Sequence, residues 1–390
     1  MRHIGIIAAG ASLVAGAAVP AWAQPAPVAP GGATPVAHPA PAALTAPTAS
    51  AAPAGEPVCT IDDSRAVELS GLVTTASGYV AINDSNDVPG AMGIFFVDQA
   101  CALTRVVHYP TTARDPEDLA VAPDGTLWVA DIGDNFTLPA DSRRRTVALW
   151  KLAPGASSPV IHRLAYPDGP HDAEALVLAG DGTPVIVTKE PAGAAGIYTP
   201  AGPLRPDSTT GVPLTRVGTF TPTLTGTSNP FGLLGQMMVT GGANAPDGRR
   251  VALRTYADAY EWDVPDGDVV KAITTGKPRI TPLPGEPQGE ALAYSRDGAG
   301  LLTVSDQSGP TRLLRYRATR PAPTGAASAA ASAGATRAAA SAGATRAAAG
   351  TSALDGAAGR LPFLAGAGLI GLGLVTLTLL AARRARRVDR

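Results

Sequence analysis

One short pattern recurs along this chain and limits its possible folds: a strand-like run, an Asp-Gly turn and a second strand-like run. Copies begin at Glu117, Glu174, Thr240 and Glu290, and in each of them Asp-Gly follows seven residues after the first position. A fifth, degenerate copy begins at Ser70 and carries Ser-Gly at the turn. Since Asp-Gly between apolar runs is typical of a tight β-hairpin, each copy predicts a hairpin.

The spacing of the copies indicates a β-propeller. Successive copies start 47, 57, 66 and 50 residues apart, which suits four-stranded blades of about 40 to 50 residues plus loops. We therefore predict an all-β propeller of five or six blades. Six is preferred because residues 195–235 leave room for another blade, and residues near 58–68 are expected to complete the sheet that contains residues 301–317. A β-sandwich built from hairpins is the alternative.

The N-terminus has the features of a secretory signal peptide. Arg2 and His3 precede an apolar stretch over residues 4–19, and Ala21-Trp-Ala23 forms a cleavage site of the A-x-A type. We therefore expect residues 1–23 to be removed on export, with an uncleaved anchor helix as the alternative.

The C-terminus predicts a membrane anchor. Residues 361–382 carry no charge and are rich in Leu, Gly and Ala, and as a helix they are long enough to span a bilayer. Five arginines follow in residues 383–390, whereas only Arg360 lies close on the other side. The positive-inside rule places this basic tail in the cytoplasm. We thus expect a single-pass cell-membrane protein whose folded part is extracellular.

Two low-complexity segments separate these ends from one central domain. Residues 24–57 consist almost wholly of Pro, Ala, Thr, Gly and Ser, and residues 321–360 are rich in Ala, Ser and Gly. Neither segment carries enough apolar side-chain area to offset the entropy of ordering. We predict a linker and a stalk, which leave residues 58–320 as the propeller domain.

Cys59 and Cys101 are the two cysteines of the chain. An even pair in an exported protein favours a disulfide. Metal binding by the pair is the weaker alternative, because no second Cys or His lies at ligand spacing.

The charge of the central domain argues against a nucleic-acid partner. Residues 58–320 contain 22 Lys and Arg against 29 Asp and Glu, so phosphate groups would be repelled. The basic tail hides this excess in the whole-chain net charge of −1. We expect a monomer that binds an unknown small molecule or extracellular protein.

The first position of each repeat predicts a functional site. If it begins the innermost strand of a blade, Glu117, Glu174 and Glu290 gather at one end of the central channel, together with Asp118. Converging carboxylates repel one another, so a cation, a proton or an arginine must offset them. Ca²⁺ is the natural candidate because it takes oxygen ligands from several directions.

Other polar residues near the repeat ends extend this candidate site. Asp131, Asp134 and Asn135 place three oxygen-bearing side chains within five residues, and they are either further Ca²⁺ ligands or ordinary turn residues. Lys189 and Arg254 stand at equivalent repeat ends and are predicted to bind an anionic group or to pair with the glutamates. Asp306 ends the last repeat and is a further candidate for ligand binding.

The repeats at residues 174–189 and 290–306 resemble blades of secreted propellers in the esterase-like phytase, SdiA-regulated and SMP-30 gluconolactonase groups. The resemblance covers most of residues 65–318 and implies a Ca²⁺ site at the channel mouth. It does not select a reaction, because propellers include lactonases, phosphatases, binding modules and scaffolds.

Two functional hypotheses remain. The first is a surface protein that presents a binding funnel beyond the membrane. The second is a metal-dependent hydrolase of phosphate esters or lactones, which would use a Ca²⁺-bound water or a carboxylate base. The nucleophile elbow, the P-loop and the zinc-protease helix motif are all absent from the sequence.

Overall fold

A computed structural model describes residues 52–85, 88, 90–135, 142–191 and 193–319. The predicted signal peptide, stalk, membrane segment and basic tail, and nearly all of the predicted linker, lie outside these residues. The described part contains strands β1–β20 and two short helices, α1 (Gly232–Met237) and α2 (Val269–Thr275). Neither helix is long and apolar enough to cross a membrane.

The strands form five antiparallel units of four strands each. Unit 1 contains β2 (Leu69–Thr74), β3 (Gly78–Asn83), β4 (Gly93–Asp98) and β5 (Leu103–His108). Unit 2 contains β6 (Pro116–Val121), β7 (Leu127–Asp131), β8 (Val147–Leu152) and β9 (Val160–Ala165). Unit 3 contains β10 (Ala173–Leu178), β11 (Pro184–Thr188), β12 (Ala195–Pro200) and β13 (Val212–Phe220). Unit 4 contains β14 (Val239–Asn244), β15 (Arg250–Thr255), β16 (Asp258–Asp263) and β17 (Arg279–Pro282). Unit 5 contains β18 (Gly289–Tyr294), β19 (Gly300–Ser305), β20 (Thr311–Arg317) and β1 (Glu56–Ile61).

The first strand of each unit is its innermost strand, and these five strands make a closed ring. β2 contacts β6, β6 contacts β10, β10 contacts β14, β14 contacts β18, and β18 returns to β2. At the periphery β9 and β13 pair in parallel over a short stretch, which links units 2 and 3. The architecture is that of a β-propeller, with the inner strands around a central axis.

The last unit takes its outer strand from the start of the domain. β1 pairs antiparallel with β20, so that Glu56 lies opposite Arg315 and Ile61 opposite Thr311. This confirms that the residues near 58–68 complete the final sheet. The strand begins at Glu56, inside the segment predicted as linker.

No sixth four-stranded unit occurs in the described ranges, and the preference for six is wrong there. The wide gap over residues 195–235 contains β12, the long strand β13 and helix α1. It therefore completes unit 3 and adds an insertion before unit 4.

Apolar side chains fill each space between neighbouring units. On β6, Leu119 packs toward unit 1 with Val80 and Ile82, whereas the next residue, Ala120, packs toward unit 3 with Leu178. Three further clusters fill the interfaces between units 3 and 4, units 4 and 5, and units 5 and 1, so that five clusters separate the five units. Because both faces of each sheet are buried, the inner strands are apolar along most of their length rather than alternating.

A disulfide joins the two ends of the ring. Cys59 lies in β1 of unit 5 and Cys101 in the turn between β4 and β5 of unit 1, with 5.9 Å between their Cα atoms. The predicted pairing is confirmed. The bond crosses the boundary at which the first and last units meet.

We expect the double variant Cys59→Ser/Cys101→Ser to lose about 2–4 kcal/mol of unfolding free energy, because the open chain gains conformational entropy. Thermal unfolding with and without a thiol reductant measures this. Reductant should lower the melting temperature of the wild type and leave the double variant unaffected. A double variant as stable as the wild type would show that the bond does not stabilise ring closure.

Candidate functional site

Every inner strand has a β-bulge at the same place. The register with the second strand shifts at the start of β2, β6, β10, β14 and β18. The residues skipped by the shift are Ser70, Glu117, Glu174, Thr240 and Glu290. A bulge turns its extra residue away from the regular ladder. These five are also the first positions of the sequence repeats, so the repeat marks a backbone feature as well as a hairpin.

The structure brings the three predicted glutamates together at one end of the ring. Glu117, Glu174 and Glu290 are each at most 5% exposed. Glu174 and Glu290 both lie close enough to repel the Glu117 carboxylate. Ser70 Oγ donates hydrogen bonds to Glu117 O at 2.6 Å and to Glu117 Oε2 at 3.2 Å.

Two further repeat positions contribute carboxylates that the sequence did not reveal. Asp115 and Asp172 lie two residues before Glu117 and Glu174, and both are buried. Asp84 follows β3 and also repels Glu117. The acidic mouth is the set Asp84, Asp115, Glu117, Asp172, Glu174 and Glu290.

One backbone hydrogen bond explains why these positions meet. The first residue after the second strand, or in unit 2 the second residue after it, donates its N–H to the carbonyl of the residue two before the bulge. Lys189 N reaches Asp172 O at 2.9 Å, and Gly133 N reaches Asp115 O at 3.1 Å. Asp306 N makes the same bond to Gln288 O at 2.8 Å. The bond fixes both positions at the end of the channel where the inner strands begin.

Two groups within the acidic mouth are compact enough to hold a metal ion. Asp84, Asp115 and Glu117 form group A, and Glu117, Asp172 and Glu174 form group B. In each group the ligand atoms lie within 4.8 Å of one another. Glu117 belongs to both groups.

Gly133 leaves the space that group A needs. A Cβ atom at this position would lie 2.1 Å from Glu117 Oε1 and 2.6 Å from Asp115 Oδ2. Any other residue would therefore displace these two carboxylates.

Lys189 is the cation of the acidic mouth. Its ammonium contacts Glu174 Oε1 and donates a hydrogen bond to Tyr256 OH at 2.9 Å. Burial lowers the pKa of Lys189, but attraction to Glu174 and neighbouring groups outweighs it and holds this pKa well above its usual value. The predicted pairing of Lys189 with a repeat glutamate is thus present.

On the side of unit 5, Gln288 joins two carboxylates. Its Nε2 donates to Glu290 Oε1 at 3.0 Å and also contacts Asp306 Oδ2. Asp306 is therefore beside the mouth, as the sequence predicted. Tyr256 OH lies 3.4 Å from Glu290 Oε1.

Unit 4 gives the mouth an aromatic side. It places Thr240 at the bulge, and Thr240 Oγ1 donates to Gly289 O at 3.1 Å. The ring of Tyr256 contacts that of Phe231 with 4.4 Å between centroids. Next to them, Leu233 on α1 is 67% exposed.

Burial and mutual repulsion govern the electrostatics. Burial raises the pKa of Glu117, and the carboxylates of Asp84, Glu174 and other neighbours raise it further. Burial also raises the pKa of Glu174 and of Glu290 against the opposing attraction of the Lys189 ammonium. Glu174 Oε2 and Glu290 Oε2 are buried without a hydrogen-bond partner. These oxygens need a proton or a cation.

The Asp131-Asp134-Asn135 segment was expected to supply metal ligands, but its two aspartates pair with arginines instead. The Asp131 carboxylate accepts hydrogen bonds from Arg144 Nη1 at 2.7 Å and from Trp150 Nε1 at 3.1 Å, and also from two backbone N–H groups. Asp134 Oδ2 accepts from Arg143 Nε at 2.8 Å. Within the described residues, Asp131 and Asp134 belong to neither metal-competent group. The role of Asn135 stays a prediction. These two aspartates hold the loop and its arginines in place.

Asp118 and Arg254 also differ from their predicted roles. Asp118 Oδ2 accepts hydrogen bonds from Leu176 N at 2.8 Å and Gly242 N at 2.9 Å, so it ties three inner strands together inside the ring. Arg254 is fully buried and pairs with Glu286 at 2.9 Å instead of with a mouth glutamate. Both residues stabilise the fold.

No family model matches this chain, and no curated protein matches it. Solved structures that resemble it include a gluconolactonase from Xanthomonas campestris, with 15% identity over 64% of this chain and 72% of that one and a TM-score of 0.36. A nidogen/laminin complex has 11% identity over 61% and 72%, with a TM-score of 0.35. Hydrazine synthase from Kuenenia stuttgartiensis has 11% identity over 64% and 84%, with a TM-score of 0.33. The first agrees with the resemblance seen in the repeats, but likeness at this level carries no argument about function, and the fold rests on the strand pairing.

The raised pKa of Glu117 predicts a pH-dependent stability in chelator. A carboxyl group whose pKa is higher in the folded state stabilises the fold at low pH, and this contribution is lost as the pH rises through the folded pKa. We therefore expect Glu117→Gln to gain stability relative to the wild type as the pH rises from about 5 to about 8, by roughly 1–3 kcal/mol in all.

Chemical denaturation in EDTA across this pH range measures the difference. Glu56→Gln, at an exposed position on β1, is the matched control and should differ from the wild type by a constant amount. A constant difference for Glu117→Gln as well would show that its carboxyl group is not perturbed.

Proposed function

We propose that this chain is an extracellular, membrane-tethered five-bladed propeller whose acidic mouth binds a divalent cation, Ca²⁺, and presents the mouth to a ligand. The observation that carries the proposal is the surplus of buried carboxylates. Six carboxylates form the acidic mouth. In the part of the chain that the structure describes, Lys189 is the cation in direct contact with one of them, whereas Arg143 and Arg254 act on Asp172 and Glu290 only by weaker attraction.

The donor set favours a hard cation such as Ca²⁺ over soft transition-metal ions. Group A offers carboxylate oxygens only, and hard oxygen ligands suit Ca²⁺. Two ligands about 2.4 Å from one ion are at most about 4.8 Å apart, which group A satisfies. A bound ion would supply the positive charge that these carboxylates need, and Asp84, Asp115 and Glu117 would hold it.

The chain ends support a tether on the opposite face. Glu56 starts β1 beside the end of β20, and Arg317 lies opposite Gly300, next to the Asp-Gly turn of the last repeat. Both ends of the domain therefore lie on the face that carries the Asp-Gly turns, which is opposite the mouth. With residues 321–360 as a stalk and 361–382 as a membrane helix, the mouth would point away from the cell surface.

Ligand binding is favoured by the mixed chemistry of the mouth. Carboxylates line most of it, while Tyr256 and Phe231 form an aromatic side and Leu233 is exposed beside them. A small molecule or a segment of an extracellular protein with both polar and apolar groups would match this surface.

We expect Ca²⁺ to raise the melting temperature of the full-length chain and EDTA to reverse the rise. Glu117→Gln should weaken Ca²⁺ binding at least tenfold by removing the carboxylate shared by both groups. Gly133→Ala should do the same because its methyl group displaces Glu117 and Asp115. Calorimetric titration with CaCl₂ measures these affinities.

Matched controls separate loss of the site from general damage. Glu56→Gln removes an exposed carboxylate, and Gly202→Ala adds a methyl group where nothing lies within 4 Å; both should bind like the wild type. A wild type that binds no Ca²⁺ would refute the proposed cation site.

The second candidate is a metal-dependent hydrolase of lactones or phosphate esters. The observation in its favour is the pair Glu174 and Glu290, whose pKa values are raised by burial, as is common for a general acid or base. Each has one buried oxygen without a partner, facing the crowded mouth.

A panel of lactones and phosphate esters, assayed with Ca²⁺, distinguishes the candidates. A hydrolase should turn over one class, and Glu174→Gln should reduce that turnover at least a hundredfold, as expected for a lost general acid or base. Glu56→Gln should retain it. Absence of turnover across the panel, with Ca²⁺ bound, would favour the binding protein.

A further inference from the structure

Groups A and B share Glu117 but differ in charge balance. Asp84 and Asp115 of group A make no ion pair with Lys, Arg or His in the part of the chain that the structure describes. Group B has a cation supplied by the chain itself, because the Lys189 ammonium contacts Glu174 and attracts Asp172. The two groups are otherwise alike in size and in donor atoms.

The surroundings of the Lys189 ammonium form a cation cage. Glu174 Oε1 and Tyr256 OH contact Nζ directly, and the Tyr256 ring centre lies 5.2 Å from it. The Lys189 side chain is 13% exposed. An ammonium group with a carboxylate, a hydroxyl and an aromatic face around it occupies a place that suits a cation.

The position of Lys189 in its unit shows that the ammonium is an addition to the common framework. The same backbone hydrogen bond is made in unit 2 by Gly133, one residue further along the loop, and in unit 5 by Asp306. Neither of these brings a positive charge, so unit 3 alone of these three supplies a cation at this place.

A second observation indicates that group B can accept more positive charge than the Lys189 ammonium provides. Glu174 Oε2 is buried and has no hydrogen-bond partner, although Glu174 Oε1 is paired with the ammonium. Glu290 Oε2, on the other side of Tyr256, is also buried without a partner. The carboxylate oxygens on this side of the mouth therefore outnumber the donors that reach them.

We propose that Lys189 is a tethered cation that occupies group B, so that the protein takes one divalent ion, at group A, and group B is a latent second metal site. The expected ion at group A rests on the proposed function, whereas the role of Lys189 does not. Replacement of the ammonium by an apolar group of similar length should open group B, with Glu117, Asp172 and Glu174 as ligands.

Calorimetric titration of the full-length chain with CaCl₂ tests this. We expect one bound ion in the wild type and two in Lys189→Met. The double variant Lys189→Met/Glu174→Gln should return to one, because it removes a group B ligand and leaves group A intact. Lys271→Met, at a lysine that is 64% exposed on α2, is the matched control and should bind one.

Thermal unfolding keeps the test decisive if Lys189→Met is unstable. Loss of the ammonium leaves group B without a cation, so the variant should melt below the wild type in EDTA and gain more from Ca²⁺ than the wild type does. A deficit that Ca²⁺ does not reduce would show that Lys189 only supports packing and would overturn the proposal.

The outcomes separate the two proposals. One ion in both the wild type and Lys189→Met would overturn the role of Lys189 and leave the cation site of group A in place. No ion in the wild type but one Glu174-dependent ion in Lys189→Met would refute the proposed function and support the role of Lys189. No ion in either protein would overturn both.

Discussion

Closure of the ring between units 5 and 1 is the constraint on which the mouth depends. The carboxylates of the acidic mouth come from residues as far apart as Asp84 and Glu290, and they meet only if the last inner strand packs against the first. Bringing such distant segments together costs loop entropy. The chain meets this cost with an apolar cluster between units 5 and 1, with β1 as the outer strand of the last sheet, and with the Cys59–Cys101 bond.

Closure of the ring also brings negative charges close together at the mouth, and a function of the mouth can make use of them. Each unit turns a bulged residue toward the axis, and three of the five are glutamates with at most 5% exposure. Hydrogen bonds from Ser70 and Gln288 and the ammonium of Lys189 satisfy part of this charge. The remaining carboxylate oxygens need protons or cations, because burial of an uncompensated carboxylate costs free energy.

The sequence predicted the repeating hairpins, the closing strand, the disulfide and the meeting of three glutamates, because each leaves a local pattern. It did not predict Asp115 and Asp172, whose place at the mouth depends on a backbone hydrogen bond to the end of the second strand. Asp131 and Asp134 were interpreted as ligands because they lie close together in the sequence. Their arginine partners, Arg144 and Arg143, come nine or more residues later, so the pattern did not indicate the ion pairs. The preference for six units was wrong because β13 and the α1 insertion lengthen one repeat without adding a sheet.

Gly133 and Lys189, which bond to corresponding carbonyls although they lie one residue apart relative to the second strand, show how such a ring acquires a specific mouth. Both donate the same backbone hydrogen bond, to Asp115 and Asp172, so their Cα positions are set by the fold and not by their side chains. At one position the absence of a side chain makes room beside two carboxylates; at the other a side chain brings a positive charge. On the proposed role of Lys189, a single substitution there would change the number of cations that the mouth can accept while the strands remain in place. The fivefold backbone therefore supplies the geometry, and the differences between units supply the chemistry.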